Sequence, residues 1–439
     1  MNKKIILWSI ISALAGFLFG FDTVVISGAD KKLQLLWHTT DAFHGAVVMG
    51  MALWGTVLGA IFGGKPLDAF GRKKTLIAIG ILFSVSALGT AFANDPYTFA
   101  FFRFLGGIAI GASTVAAPTY ISEIAPASKR GFLVALYQFN IVFGILIAFF
   151  SNYCFHDFGE NSWRWMMGIL FVPAIIYSVL AFFIIESPRW LLSKSKLEQA
   201  EICFKTINPT DDFEDFVKLT NLSKLATSET IFDKKYRTPL LLAFFLAFFN
   251  QFSGINAFLY YAPRIFELAG LGEKTALLSS IGIGFANLIF TILGVFLIDR
   301  LGRKSLMYIG SIGYIISLSM VSMAFFFEWK GMAVPGFLFL FIASHAIGQG
   351  AVIWVFISEI FPNHLRASGQ AFGCSTHWVF AAIIPSLVPL IIAHVGAANM
   401  FLTFAVMMVF QLIWVHFFMP ETKGITLEKL SEQLTHKPQ

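Results

Sequence analysis

The sequence predicts an all-α membrane protein of twelve transmembrane helices, built as two six-helix halves of the same topology. Three observations predict it. The 439 residues are 57% hydrophobic and only 13% charged, about half the charge of a typical soluble chain. Apolar runs of bilayer-crossing length, roughly 17–25 residues, recur along the whole chain. Three charged motifs occur twice at a nearly constant offset.

The runs fall near 5–28, 43–64, 75–93, 98–122, 131–154, 165–185, 239–266, 275–298, 305–327, 335–360, 368–395 and 397–419. The first has Lys3 and Lys4 before it and Ala13-Leu14-Ala15 inside it, the elements of a cleavable signal. Its apolar stretch continues past that point, so it is expected to be a retained span.

Orientation follows from Lys and Arg, which favour cytoplasmic loops. One set of connections holds Lys3, Lys4, Lys65, Arg72, Lys73, Lys74, Lys129, Arg130, Arg300, Arg303, Lys304 and Arg366, with the 186–238 segment and the tail. The other holds Lys31, Lys32, Arg164, Lys274 and Lys330. Both termini and the 186–238 segment are therefore expected in the cytoplasm. The domains expected are a first half over 1–185, a cytoplasmic helical linker over 186–238, a second half over 239–419 and a tail over 420–439. In the linker, Ser187-Pro188 reads as an N-cap and first helical position. Leu191, Leu192, Leu197, Ile202 and Phe204, interleaved with charges, suggest an amphipathic helix, with others over 211–225 and 426–434.

The halves repeat. Asp68-Ala69-Phe70-Gly71-Arg72-Lys73 recurs as Asp299-Arg300-Leu301-Gly302-Arg303-Lys304. Ile121-Ser122-Glu123-Ile124, followed by Arg130, recurs as Ile357-Ser358-Glu359-Ile360, followed by Arg366. Glu186-Ser187 recurs as Glu421-Thr422. Six spans per half make these parallel repeats, with a substrate expected near the midplane between them. The glycines permit tight turns. Asp68, Arg72, Glu123 and Arg130, with Asp299, Arg303, Glu359 and Arg366, are expected to form cytoplasmic charge clusters, either a gate or a solvated rim of weak pairs.

Polar residues inside spans mark the candidate sites. Asn250-Gln251-Phe252-Ser253-Gly254-Ile255-Asn256 lies in an apolar run. Carboxamides there are costly without partners, and they donate and accept hydrogen bonds as sugar hydroxyls do. Interhelical contacts are the alternative for any one of them. Gly254 and Pro263 allow the helix to open. Asp22 and Arg103 lie roughly 8–9 Å inside the same face at 1.5 Å per residue. Each compensates the other's insertion cost, and an acid that releases its Arg on taking a proton suits coupling; a static pair is the alternative.

Other classes are excluded. Cys154, Cys203 and Cys374 show no metal-ligand or disulfide spacing. Gly71-Arg72-Lys73 lacks the nucleotide-loop pattern. No nucleophile–base pair is evident, so no enzyme, metal or cofactor is expected. The net charge of +6 reflects basic span ends, not a nucleic-acid surface.

These motifs closely resemble the sugar porter family of the major facilitator superfamily. The matches are Gly20 to Gly28, the two Gly-Arg-Lys loops, Glu186 to Leu191, Gln251 to Asn256, Trp354 to Pro362, and Pro420 to Gly424. The resemblance implies the major facilitator fold and transport of a hexose or pentose by alternating access, with a sugar, a proton and the lipid bilayer as partners of a monomer. It implies sugar contacts at Gln138, Gln251, Asn256, Trp354 and Trp378, an outer gate at Tyr260 and Tyr261, and proton coupling through Asp22 and Arg103. The chain departs from the family at Asn250, where a glutamine is frequent, and at His377, where Gln or Asn is common; both join the expected ligands. Gly350-Ala351 replaces a usual Gly-Pro, so a milder kink is expected in span ten. Leu170 stands where some symporters carry an acid, which keeps an uncoupled facilitator open as the alternative. A transporter-like sensor is a third reading. The bacterial inner membrane is the expected location.

Overall fold

The computed structural model describes residues 3–126, 129–208, 212–222, 229–329, 331–362, 365–425, 429–430 and 433–434. Lys330 and parts of the helices expected over 211–225 and 426–434 lie outside the described residues. Among the described residues, twelve helices are long and apolar enough to cross a membrane. The first six are Lys3–Gly28, Asp41–Phe62, Arg72–Phe92, Pro96–Ile124, Arg130–Phe155 and Ser162–Ala181. The second six are Lys234–Leu268, Glu273–Leu301, Arg303–Phe326, Ala333–Glu359, Arg366–His394 and Ala397–Phe417. Each coincides with one expected run, and they are called spans one to twelve below.

Local chemistry sets several span ends. Span four opens on Pro96, whose missing N–H costs nothing at a helix start. Asp95 caps it, accepting 2.9 Å bonds from the N–H groups of Tyr97 and Thr98. Span three ends against Arg164, which donates to the Ala91 and Ala93 carbonyls at 2.7 and 2.8 Å. Span two begins irregularly: His44–Met49 is π-helical before α-helix resumes at Met51. Span seven divides into Arg237–Phe252 and Ile255–Leu268. Span ten divides into Ala333–Ile347 and Gln349–Glu359 at Gly348, with φ −83° and ψ −102°. The backbone thus turns just before Gly350-Ala351, the pair at which a milder kink is expected, while Gly348 N–H still bonds to the Ser344 carbonyl at 3.0 Å and Val352 N–H to the Gly348 carbonyl at 3.1 Å.

The linker forms short helices. Ser187 caps Pro188–Ser193, accepting from the Trp190 N–H at 3.3 Å. Leu197–Ile207 and Phe213–Leu222 follow. Trp190, Leu191 and Ala200 form a small core with Leu192, Cys203 and Phe213 packed on it. Leu197 and Ile202, expected on the apolar face, are exposed. The buried stripe is Ala200, Phe204 and Ile207, at four- and three-residue spacing.

The chain packs as two compact units. One comprises Met1–Thr23, Met51–Ala148 and Arg164–Ser228. The other comprises Val24–Gly50, Phe149–Trp163 and Glu229–Gln439. The second unit therefore contains spans seven to twelve together with one end of spans one, two, five and six.

The repeated motifs build the same cluster once in each unit. In the first, Arg72 donates to Glu123 through Nε and Nη2 at 2.9 and 2.8 Å, and through Nη1 to Asp68 at 3.3 Å. In the second, Arg303 donates to Glu359 at 3.2 and 2.7 Å and to Asp299 at 3.1 Å. Gly71 and Gly302 stand at φ +99° and +92°, where a side chain is strained. A Cβ at either would also strike a carboxylate, that of Glu186 or Glu421. Glu186 accepts from the Arg72 N–H at 2.8 Å and Glu421 from the Arg303 N–H at 2.9 Å. Each carboxylate thus caps the first turn of the next span. Burial pushes the Glu186 carboxyl above its ordinary range, against the pull of the Ser187, Arg72 and Lys73 N–H groups. Burial pushes Glu421 the same way, but the N–H groups of Lys423, Arg303, Lys304 and Thr422 outweigh it and hold that carboxyl low. Of the two arginines expected around Glu123, Arg72 is the one that pairs with it among the described residues.

Candidate functional site

The break in span seven gathers the expected ligands of the second unit. Gly254 takes φ +82°, the left-handed region that favours glycine, and a Cβ there would lie 2.5 Å from the Phe404 ring. The chain restarts as a helix at Ile255, so Asn250-Gln251 and Asn256 approach each other across the gap. Asn256 Nδ2 donates to Gln251 Oε1 at 2.8 Å. Gln251 Nε2 donates to Asn250 Oδ1 at 2.9 Å and lies 3.2 Å from both ring nitrogens of His377 in span eleven. Ser253 turns back on the Asn250 carbonyl at 2.6 Å. Amides in a membrane interior need partners, and here they supply one another.

Aromatic rings border this string. Trp354 lies on the second helix of span ten, its ring centroid 5.1 Å from that of His377. Trp378 follows His377 at 5.1 Å, edge on. Asn250 and Gln251 are buried, while Asn256, Trp354 and His377 are half-buried. Such a surface offers mixed donors and acceptors beside flat apolar faces, the combination that binds a polyol ring. Gln138 lies on span five in the first unit and is half-buried.

Tyr260 and Tyr261 are fully buried on the restarted helix of span seven. The Tyr261 backbone leaves helical geometry, at φ −122° and ψ 18°, two residues before Pro263. Its hydroxyl donates to the Pro385 carbonyl at 3.1 Å. That carbonyl is orphaned because Pro389, four residues on, has no N–H to give it.

In the first unit, Arg103 Nη1 donates to Asp22 Oδ1 at 2.5 Å and Nη2 to the Asp22 carbonyl at 3.1 Å. Both residues are 1% exposed. Asp22 Oδ2 and Arg103 Nε have no hydrogen-bond partner among the described residues. The pair is therefore neutral overall but only half satisfied, an arrangement with a high desolvation cost.

A second buried ion cluster escaped the sequence reading because its members come from three separate elements. Asp30 accepts from His44 Nε2 at 2.7 Å and from Arg264 Nη2 at 3.1 Å, with Arg264 Nε 2.6 Å from its other oxygen. Arg264 also donates to Gln34 at 2.5 Å, and Gln34 to Asp41 at 2.7 Å. The cluster joins the short helix Asp30–Leu36 that follows span one, the start of span two and span seven, all in the second unit. Replacing Arg264 by alanine leaves a buried carboxylate facing only His44, and is expected to cost about 3–5 kcal/mol. Thermal melting in detergent reads it, and an added Asp30→Asn should recover part of the loss. An unchanged midpoint for Arg264→Ala would show the cluster to be energetically idle.

Comparison with known proteins places these features in a family. A model described as "Sugar (and other) transporter" matches residues 8–434. The arabinose-proton symporter of Bacillus subtilis (strain 168) is 34% identical over 441 residues, 98% of this chain and 94% of the relative. The xylose transporter XylE from E. coli, in a partially occluded inward-open conformation, superposes with a TM-score of 0.86 at 30% identity, covering 97% of this chain and 100% of that one. XylE as a proton:xylose symporter of the major facilitator superfamily, bound to 6-bromo-6-deoxy-D-glucose, gives 0.79 at 30% identity, covering 98% of each chain. With a match across nearly its full length and a shared twelve-span architecture, the chain is a multi-pass integral membrane protein that belongs to the sugar transporter family and has the major facilitator fold.

Proposed function

We propose that this protein is a monosaccharide:proton symporter that works by alternating access in a bacterial plasma membrane. The observation that carries the sugar reading is the Gln251–Asn250–Asn256–His377 string at the break of span seven, bordered by Trp354 and Trp378. In this reading Gln138, Gln251, Asn256, Trp354, His377 and Trp378 contact the sugar, and Asn250 orients Gln251. Asp22 takes the proton and releases Arg103. Tyr260 and Tyr261 form the outer gate. The Arg72–Glu123 and Arg303–Glu359 clusters, with Asp68, Asp299, Arg130 and Arg366 around them, form the inner one. The sequence halves 1–185 and 239–419 move against each other. Both termini, the linker and the tail are cytoplasmic, and the working form is a monomer.

A second reading, an uncoupled facilitator, is favoured by one residue: Leu170 is apolar and buried in span six, with no acid to assist Asp22. Purified protein in liposomes separates the two. Labelled arabinose, xylose and glucose are offered with and without an inward proton gradient. Accumulation above equilibrium that a protonophore abolishes is the expected result. Equilibration insensitive to the gradient would make the protein a facilitator, and binding without flux would make it a sensor.

A further inference from the structure

His345 ends the first helix of span ten, and its ring folds across the break onto Gly350. A methyl group on Gly350 would lie 3.3 Å from His345 Cδ2 and Nε2. His345 Nδ1 is 2.6 Å from the Tyr314 hydroxyl. That hydroxyl is 3.3 Å from Gln349 Oε1. Gln349 Nε2 donates to Gln411 Oε1, Gln411 Nε2 to Ser311 Oγ at 2.7 Å, and Ser311 Oγ to the Met307 carbonyl at 2.7 Å. Tyr314, Gln349, Gln411 and Ser311 are fully buried, so the chain is closed to solvent along its length.

Such a chain has a direction. A hydroxyl has one proton to give. Ser311 spends its proton on Met307, so it must accept from Gln411. The Gln411 oxygen then accepts from Gln349, and the Gln349 oxygen is left to accept from Tyr314. With its proton spent, Tyr314 accepts from His345, and Nδ1 carries the hydrogen. Turning the Tyr314 hydroxyl alone toward His345 would leave Gln349 Oε1 without its donor, and reversing the whole chain means flipping both amides, whose ends are interchangeable in shape. It also takes the Ser311 proton from Met307, one hydrogen bond fewer. The favoured polarity leaves His345 Nε2 bare.

That nitrogen has no hydrogen-bond partner among the described residues, and the ring is only half-buried. The His345 ring packs on Gly350, one turn before Trp354, whose ring centroid is 5.1 Å from that of His377. The Ser253 hydroxyl, in the break of span seven, sits beside Tyr314. Span ten carries Trp354 about one turn after Gly350.

We infer that His345 Nε2 is a pure hydrogen-bond acceptor for one hydroxyl of the transported sugar, and that the Tyr314–Gln349–Gln411–Ser311 chain is what keeps it an acceptor. This rests on the sugar-transport reading above. The carboxamides nearby both donate and accept, so they tolerate a hydroxyl turned either way. A bare imidazole nitrogen does not: it requires a donor, and it discriminates against a sugar lacking that hydroxyl.

The test is uptake in liposomes of D-xylose, D-glucose and the monodeoxy derivatives of each. His345→Phe keeps a ring and removes the acceptor. For a parent sugar it is expected to raise KM about tenfold, the equivalent of one hydrogen bond, with Vmax nearly unchanged. For one monodeoxy derivative, wild type and variant should have the same KM. His345→Gln, whose amide oxygen can stand in for Nε2, should recover much of the parent affinity. Tyr314→Phe, which touches no sugar, should raise the parent KM less and spare the same derivative. An unchanged KM in His345→Phe, or a rise that is equal for every derivative, would overturn the inference, since packing alone does not select one hydroxyl. If His345→Phe does not fold, the same derivative profile is read from Tyr314→Phe. Wild-type protein that takes up none of these sugars defeats the transport reading itself, before any variant is made.

Discussion

Replacing Asp22 by asparagine is expected to abolish uphill sugar uptake while leaving exchange of sugar at equilibrium measurable. Asp22 is fully buried, one carboxylate oxygen is held by Arg103, and the other has no partner among the described residues. In a membrane interior the ionised pair is tolerable because its charges cancel. Protonation removes one charge and frees Arg103 to find another acceptor, which ties the proton to a rearrangement. A carboxamide in place of the Asp22 carboxylate cannot take a proton, so that link is lost. It keeps nearly the same shape and can still accept from Arg103 Nη1, so the fold and the sugar site should survive. The accumulation ratio under an inward proton gradient is the measurement: it should fall from well above one to about one, with counterflow retained. An Asp22→Asn carrier that still concentrates sugar removes Asp22 from coupling. Loss of counterflow as well would mark the pair as structural.

The spans were legible because a bilayer imposes one requirement on every crossing segment, sustained apolarity over a fixed length, and composition reports that directly. The repeated clusters were legible for a related reason. Gly71 and Gly302, Arg72 and Arg303, Glu186 and Glu421 each occupy a place that only one residue type satisfies, so they recur unchanged. The cluster around Glu123 was legible but not its pairing: Arg130 and Arg72 are both basic and on the same side of the membrane by charge, and the fold puts Arg72 in reach. The turn in span ten needs no proline at 351. Gly350-Ala351 carries the familiar signature, while the backbone turns at Gly348, which packs against Gly310. Buried polar residues were legible where they cluster in sequence, as at 250–256. They were passed over where each stands alone: Gln349 and Gln411 are amides in apolar spans, as costly as Gln251, and that cost was the available signal. Asp30, His44 and Arg264 gave no signal, since each lies near a span end, where a polar residue is ordinary.

The two sites that the sequence marked differ in how they are held. Asp22 and Arg103 satisfy each other incompletely, which leaves room for a proton to change the balance. The amides around Gly254 satisfy each other well, which holds a surface ready for a ligand. A symporter needs both kinds, one element that responds to a proton and one that is rigid enough to discriminate a sugar.

Gln251→Ala should cause the largest loss of sugar affinity of any single amide replacement. Among the described residues, Gln251 is the only member of its string with bonds to three others: to Asn250, from Asn256, and to the His377 ring. Its removal deletes a ligand and also unties Asn256 and His377, leaving their polar atoms to find new partners in a dry setting. Three hydrogen bonds lost, at about 0.5–1.5 kcal/mol each, and one polar group left unsatisfied, at about 1–3 kcal/mol, bound the loss at roughly 2–8 kcal/mol. Even the lower bound raises Kd about 30-fold, since 1.4 kcal/mol is a factor of ten. Asn250→Ala is the internal control. Asn250, expected from the sequence among the ligands, is buried, and its side chain bonds only to Gln251 among the described residues; on the proposed reading it orients Gln251, and a change of about tenfold or less is expected. Binding of labelled sugar to purified protein in detergent measures both, with thermal melting to separate lost affinity from lost fold. Equal losses in the two variants would mean that the string acts as one unit with no central member. A Gln251→Ala protein that binds sugar as wild type does would place the sugar elsewhere, and the break at Gly254 would then serve only the packing of span seven.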